Sequence, residues 1–266
     1  MKKANTKHQT DDEKSIFYQE EINRILGKEK AVAAGALKDA DGGTYKKIVL
    51  ADELIYLVTL YLAKYHLAAS FSAGKAEDLL NEARKALYKV IICLEDIVTN
   101  LVDAPFSDYE ENVEKIKQVP QKHRYYLIRK LGLALDLVMR AYGTNSKWKW
   151  SFVELQGRFA VVAKNILDLK DTASSGLNPR SPEYETTMFH VRLVKRLLQQ
   201  AADKYREKYE MATSSPDDFR LAIQYLSALY RIHTILNERT PAEDVKKKID
   251  IWSDKMEKAM QRKKGR

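Results

Sequence analysis

The chain has 266 residues, of which 45 % are hydrophobic and 31 % are charged, and its formal net charge is +9. This composition is typical of a folded protein with a sizeable core, and it excludes global disorder. The length allows one large domain or two smaller ones. The single cysteine, Cys93, excludes an intramolecular disulfide framework and fits a reducing compartment. We therefore expect a cytoplasmic protein.

Residues 1–43 predict an N-terminal arm that carries one peripheral helix. Thr10 is a candidate helix cap, because acidic residues follow it and would occupy the first turn. Residues 1–7 are charged and no apolar run follows them, so we expect no secretory signal. The pair Gly42 and Gly43 predicts a flexible joint between this arm and the rest of the chain.

Two long helices are predicted over residues 45–70 and 74–102. Apolar residues cover nearly the whole circumference of the first helix, which predicts burial on all sides. Its charged residues, among them Asp52 and Lys64, would be costly in lipid, so we expect no membrane insertion. The second helix has one apolar stripe. The link at 71–74 is short enough to require an antiparallel turn, and we predict a helical hairpin.

A helical core over residues 44–172 is predicted once two further helices are added to this hairpin. The third helix covers about 121–142, with Gly143 as its C-terminal cap. The fourth begins near Trp150 and ends near Asp171. Its apolar residues fall on two sides, so we expect it to be sandwiched between other elements.

Residues 173–266 predict a C-terminal subdomain of three helices with a basic tail. The stretch 173–179 contains serine, glycine, asparagine and proline, which predicts a hinge or a subdomain boundary. Each later helix begins with Ser or Thr followed by proline, a pattern that stabilises helix starts. We expect the tail at 262–266 to be disordered. The fold class is all-α, either an irregular multi-helix bundle or a short α-solenoid built from antiparallel hairpins.

No catalytic or metal-binding arrangement is recognisable in the sequence. It contains neither His-Glu-x-x-His nor a glycine-rich phosphate loop, so we expect no enzyme activity, no metal and no cofactor. His190 and His233 lie on apolar helix faces and are interpreted as core histidines. The polar strip of Asp52, Thr59 and His66 is either a structural hydrogen-bond network or the wall of a pocket.

The second half of the chain carries an excess of positive charge, which suggests an anionic partner. Residues 104–266 contain thirty-one Lys and Arg against twenty-one Asp and Glu. Basic side chains can reach phosphates and exposed aromatic rings can stack on bases, although solvated helix faces explain the same pattern. The candidate surface comprises Lys122, Arg129, Arg140, Lys147, Trp148, Lys149, Arg192, Lys195, Arg196 and Arg206.

The last predicted helix carries a narrow apolar seam with coiled-coil spacing. The seam residues are Val245, Ile249, Trp252 and Met256. Such a helix can dock on its own protein or bind a partner. Our leading hypothesis is a non-enzymatic helical scaffold or adaptor, whose partner is an acidic protein or a second copy of the chain. The alternative is a nucleic-acid-binding protein that uses residues 115–150 and the basic face at 192–206.

Overall fold

The computed structural model describes residues 2–35, 42–69, 73–144 and 146–264, and these ranges contain helices and no strand. This confirms the predicted all-α class and shows a multi-helix bundle. Within these ranges, no helix is both long enough and apolar enough to cross a membrane. The α-helices are α1 (Lys2–Gly35), α2 (Gly42–Ala68), α3 (Ala73–Glu95), α4 (Glu110–Lys115), α5 (Gln121–Tyr142), α6 (Lys149–Asn165), α7 (Leu169–Asp171), α8 (Tyr184–Lys208), α9 (Pro216–Ile235) and α10 (Arg239–Lys264).

The chain forms two compact units. Unit 1 consists of residues 1–97 and 127–146, and unit 2 of residues 98–126 and 147–266. These limits differ from the boundaries that the sequence suggested after residues 43 and 172. The predicted boundary after residue 172 depended on a hinge over residues 173–179. Residues Thr172–Gly176 form a wide helical turn whose two end residues are buried, so this stretch is part of unit 2.

Unit 1 contains the predicted antiparallel hairpin. The Cys93 thiol near the end of α3 donates a hydrogen bond to the Lys47 carbonyl near the start of α2, at 3.3 Å. Leu57 and Leu94, one from each helix, are buried. Helix α3 ends at Glu95, seven residues earlier than predicted. The residues between Glu95 and Val102 form turns and irregular structure.

The N-terminal arm is one continuous helix that packs on α2. Ile22 and Ile25 of α1 are buried, and Glu53 of α2 accepts hydrogen bonds from Arg24 at 3.2 Å and Lys28 at 2.5 Å. The predicted flexible joint is wrong, because Gly42 and Gly43 are the first residues of α2. Residues 36–41 lie outside the described part of the chain.

Unit 2 is built around α6, which packs against α8, while α9 packs against both α8 and α10. Every residue from Phe159 to Asn165 is buried, which confirms that the fourth predicted helix is enclosed on more than one side. That helix ends six residues earlier than predicted. The Asn165 amide donates to the carbonyl oxygens of Thr99 and Leu101, and α7 then begins with the Asp168 side chain as its cap.

The starts of the last three helices follow the predicted pattern only in part. Pro216 begins α9, but the Ser215 side chain makes no capping hydrogen bond. Helix α8 begins at Tyr184, after Pro182, and α10 begins at Arg239, before Pro241. Helix α10 also continues to Lys264, so most of the predicted disordered tail is helical. Residues 265 and 266 lie outside the described ranges.

Candidate functional site

The basic residues of the candidate anionic-partner surface belong to both units. Arg129 and Arg140 are in unit 1, whereas Lys122, Lys147 and the others are in unit 2. On the solvent face of α5, Arg140 forms a salt bridge of 2.8 Å with Asp136. This pairing reduces the positive charge that α5 can offer to an anion.

Three candidate cations of unit 2 are paired with acids of the same unit. Lys149 contacts Glu207 at 2.9 Å, and Arg206 contacts Glu210 at 2.9 Å. Lys195 donates to both carboxylate oxygens of Glu238, at 2.6 and 2.5 Å. Their net charge is therefore balanced locally, which the count of basic residues along the sequence could not reveal.

The remaining candidates of unit 2 include Arg192 and Arg196 on α8, which form a short exposed strip together with Phe189, a residue outside the predicted surface. Phe189, Arg192 and Arg196 are exposed, and their spacing places them on one side of the helix. Lys122 is exposed as well, with its ammonium 5.9 Å from the centroid of the Tyr126 ring. Trp148 is half-buried and lies 5.8 Å from the Lys147 ammonium. The strip on α8 therefore combines two cations of the predicted surface with an aromatic residue that the sequence did not indicate.

The seam of α10 faces unit 2 itself. Val245 and Trp252 are buried, while Ile249 and Met256 are half-buried. The Trp252 ring packs 5.9 Å from the Phe219 ring, measured between centroids. Two cations cover the indole: the Arg206 guanidinium at 5.1 Å and the Lys248 ammonium at 4.8 Å. The seam therefore docks on its own protein, and its use by a partner stays a prediction.

Helix α2 is not buried on all sides, contrary to the prediction from its composition. Val49 is 62 % exposed and Tyr56 is 40 % exposed. The predicted polar strip lies on this solvent side, where two of its members form hydrogen bonds. Asp52 accepts a hydrogen bond of 2.7 Å from Lys130 of α5, and the Thr59 hydroxyl donates to the carbonyl of its own helix at Tyr56. His66, the last member, is exposed.

The bond between Asp52 and Lys130 brings together the solvent sides of α2 and α5. Leu133 and Leu137 follow Lys130 at three- and seven-residue steps, so they lie on the same side of α5. They are 60 % and 41 % exposed. We call the set of Val49, Tyr56, Leu133 and Leu137 the apolar face of unit 1. An arrangement of large exposed apolar side chains on neighbouring helices is typical of an interaction surface.

His190 is a core histidine, as the sequence indicates. It is fully buried, its Nε2 lies 2.9 Å from the Ala163 carbonyl oxygen, and its Nδ1 lies 2.8 Å from the Gln121 amide nitrogen. The carbonyl can only accept, so Nε2 carries the proton and Nδ1 accepts from Gln121. Burial lowers the pKa of His190 to about 4, which keeps the ring neutral at pH 7.

Lys164 is a buried amine in unit 2 and was not singled out by the sequence. It is 2 % exposed, and its ammonium lies 5.2 Å from the centroid of the Tyr109 ring. Burial lowers the pKa of Lys164 to about 8, against the attraction of Asp103. The Tyr109 hydroxyl is buried without a hydrogen-bond partner among the described residues. A charged amine here is destabilising relative to a neutral side chain of similar size.

His233 was interpreted as a core histidine because it lies on an apolar helix face, but the structure also gives it a carboxylate partner. Its Nδ1 donates a hydrogen bond of 2.6 Å to Glu238, the same carboxylate that Lys195 binds. Partial burial acts to raise the pKa of Glu238, but the hydrogen bonds from Lys195 and His233 outweigh it and lower that pKa. The sequence signal was the pair His233 and Glu238 on either side of a helix end, where Asn237 adopts a positive φ of 57°.

Two clefts of unit 2 are lined by charged residues. The larger, of about 440 Å³, is lined by Arg124 together with two ion pairs: Lys117 with Glu114 at 2.9 Å, and Lys170 with Glu110 at 3.0 Å. The smaller, of about 320 Å³, is lined by His233 and Glu238. In the described ranges, no group of three or more His, Cys, Asp or Glu residues could hold a metal ion.

A family model described as the TP0443 family matches residues 7–260. The chain belongs to the TP0443 family. No curated protein matches it. It is also similar to a solved structure titled "DHF58 filament", with 14 % sequence identity over 92 % of this chain and 99 % of that chain. The TM-score of 0.36 for this pair is too low to support an argument about fold or function.

Proposed function

We propose that this protein is a non-enzymatic helical adaptor that binds a protein partner through the apolar face of unit 1. The observation that carries the proposal is the exposure of Val49, Tyr56, Leu133 and Leu137, at 62, 40, 60 and 41 %. A partner that covers these side chains removes apolar surface from water. This burial stabilises the complex by roughly 25 cal/mol for each Å² of apolar surface. Single exposed apolar residues need no explanation, but four on the solvent sides of two helices that the Asp52–Lys130 bond links favour a docking surface.

An acidic protein is the first partner that we consider, with Lys130 paired to Asp52 and Arg140 paired to Asp136 in the protein alone. Lys130 borders the apolar residues, and Arg129 and Arg140 are exposed on the same helix. Charges at the rim of an interface steer association more than they add affinity. A second copy of the chain is the other partner that we consider, because an apolar face can pair with itself in a two-fold dimer.

A cytoplasmic location is part of the same proposal. Cys93 is a free, half-buried thiol whose pKa is raised to about 11 by burial, with a smaller opposing effect from Lys47. A thiol of this kind is unreactive as a nucleophile and serves packing. A lone packing cysteine fits a reducing compartment.

A double substitution tests the proposed docking surface. Leu133→Glu together with Leu137→Glu places two charges on the apolar face, whereas Ile251→Glu changes an exposed apolar residue of unit 2 and serves as the control. Affinity capture from the native cell, followed by analytical ultracentrifugation of purified protein, should show a partner or dimer with wild type and with the control only. Retention of every complex by the double variant would refute the proposed surface.

Nucleic-acid binding is the second candidate, and the strip of Phe189, Arg192 and Arg196 favours it. Phosphate contacts release counterions, so log K should fall linearly with log salt, by roughly 0.7 to 0.9 per contact. Fluorescence anisotropy with single- and double-stranded oligonucleotides measures this slope. Reversal of Arg192 and Arg196 to Glu should abolish the binding. A wild-type dissociation constant weaker than about 10⁻⁴ M would eliminate this candidate.

A further inference from the structure

The smaller cleft of unit 2 opens where α9 ends and α10 begins. Its volume is about 320 Å³, at the lower end of the range for small-molecule sites. His233 contributes from α9, Glu238 from the connection, and Arg239, Glu243 and Lys246 from α10. These residues carry hydrogen-bond donors and a hydrogen-bond acceptor, and all of them line the same cleft.

The acceptor is Nε2 of His233. Nδ1 is held by the Glu238 carboxylate, which can only accept, so Nδ1 carries a proton and Nε2 of the neutral ring has a free lone pair. Lys195 holds Glu238 in turn, at 2.6 Å. His233 is only 9 % exposed, and Nε2 forms no hydrogen bond within the described residues. Two side chains, Glu238 and Lys195, therefore hold a buried ring that lines the cleft and has one unused nitrogen.

The donors lie at the first turn of α10. The backbone N–H of Arg239, which lines the cleft, has no acceptor in its own helix and forms no hydrogen bond with other described parts of the chain. The helix dipole adds a partial positive charge at this end. The Arg239 guanidinium is exposed and forms no ion pair among the described residues, while Lys246, one to two turns further on, pairs with Asp250 at 3.2 Å.

We propose that this cleft binds the phosphate group of a small phosphate monoester. The phosphate oxygens accept from the side chain and from the backbone N–H of Arg239. A single proton is shared between a phosphate oxygen and His233 Nε2, so one of the two groups donates a hydrogen bond to the other. A monoester phosphate can supply this proton because its second pKa is near 6. The remaining volume of the cleft accommodates the organic part of the ester. Glu243 on the cleft wall repels anions, so the match depends on several donors acting together.

Titration of the full-length protein with phenyl phosphate, followed by NMR of the backbone amides, tests the site. The signals of Arg239 and Thr240 should shift and saturate. Phenyl sulfate has the same shape with one charge and no proton, and it should bind at least about tenfold more weakly. Equal binding of the two esters would show a general anion site and overturn the proposal. Equal binding of inorganic phosphate and phenyl phosphate would overturn the assignment to an ester.

Two substitutions separate the donor from the acceptor. Arg239→Gln removes the charged donor and should weaken phenyl phosphate binding by about tenfold or more. Arg220→Gln changes an exposed arginine of α9 outside the cleft and should leave binding within about twofold. His233→Asn keeps an N–H for Glu238 but lacks Nε2, and it should weaken binding by roughly tenfold. Unchanged affinity in Arg239→Gln, whose side chain is solvent-exposed and does not support the fold, would by itself refute the site.

Discussion

The hydroxyl oxygen of Tyr225 occupies the space that a side chain on Gly157 would need. A Cβ added to Gly157 would lie 2.5 Å from this oxygen and 2.8 Å from the ring of Tyr205. The two tyrosines are buried and stacked, with ring centroids 5.5 Å apart. Helix α6 can therefore approach α8 and α9 at this point only because residue 157 has no side chain.

Gly157→Ala should destabilise the protein by about 1–3 kcal/mol, because the stacked tyrosines must move to admit the methyl group. Urea unfolding measures the change in free energy. Gly27→Ala in α1 is the matched control, since nothing lies within 4 Å of its added Cβ. That control should be neutral or stabilise the protein by about 0.5–1 kcal/mol. A Gly157→Ala variant as stable as wild type would show that the tyrosines have room to shift.

Leu57→Ala and Leu94→Ala should each cost about 2–5 kcal/mol, because both leucines are buried in unit 1. Leu133→Ala removes the same atoms from an exposed position and should change stability by less than about 0.5 kcal/mol. Equilibrium unfolding in urea provides all three values. Losses below about 0.5 kcal/mol for both buried leucines would contradict the packing of α2 on α3.

The stability of the protein should fall as the pH is lowered from about 6.5 to about 4, because of His190. Its pKa of about 4 in the folded state lies below its value of 6.5 in an unfolded chain. The unfolded state therefore binds more protons in this window, and acid favours unfolding by up to roughly 3 kcal/mol. Urea titrations at several pH values should show a flatter dependence for His190→Gln than for wild type. His66→Gln, at an exposed position, should retain the wild-type slope.

Lys164→Met should raise the stability at pH 7 by up to roughly 3 kcal/mol. The folded-state pKa of Lys164 is about 8, against 10.5 for a lysine in an unfolded chain. The unfolded chain binds more protons between these values, so wild-type stability from this group rises as the pH increases from 8 to 10.5. The advantage of the variant over wild type should shrink across the same window. Lys170→Met, an exposed control, should differ from wild type by less than about 0.5 kcal/mol at pH 7.

Where the sequence carries a helix-starting or helix-ending residue at both ends of an element, it predicted the limits of that element. The limits of α5 matched the prediction because Pro120 precedes it and Gly143, with a positive φ of 76°, ends it. The end of α6 could not be found in this way. It depends on the bonds from Asn165 to carbonyl oxygens sixty-four and sixty-six residues away, and no local pattern encodes such contacts.

The candidate sites depend still more on contacts between distant parts of the chain. Counting charges marked Lys195 as available to an anion, but Glu238 neutralises it from the connection between α9 and α10. Apolar residues around nearly the whole circumference of α2 predicted burial on all sides. Hydrophobic content alone, however, does not determine which side of the helix faces solvent. Val49 and Tyr56 are on that side. His233 acquires a role only because the chain turns at Asn237 and returns Glu238 to the imidazole.

The division of the chain has a consequence for how the protein is made. Unit 1 includes residues 127–146, which are synthesised after residues 98–126 of unit 2. At roughly 5–20 residues per second, several seconds pass between the appearance of the first three helices and that of the segment which completes their unit. During this interval, α1 to α3 emerge from the ribosome while part of their native surface has no covering. A nascent chain of this protein therefore exposes surface of α1 to α3 that is covered in the folded unit, until Ser146 has emerged.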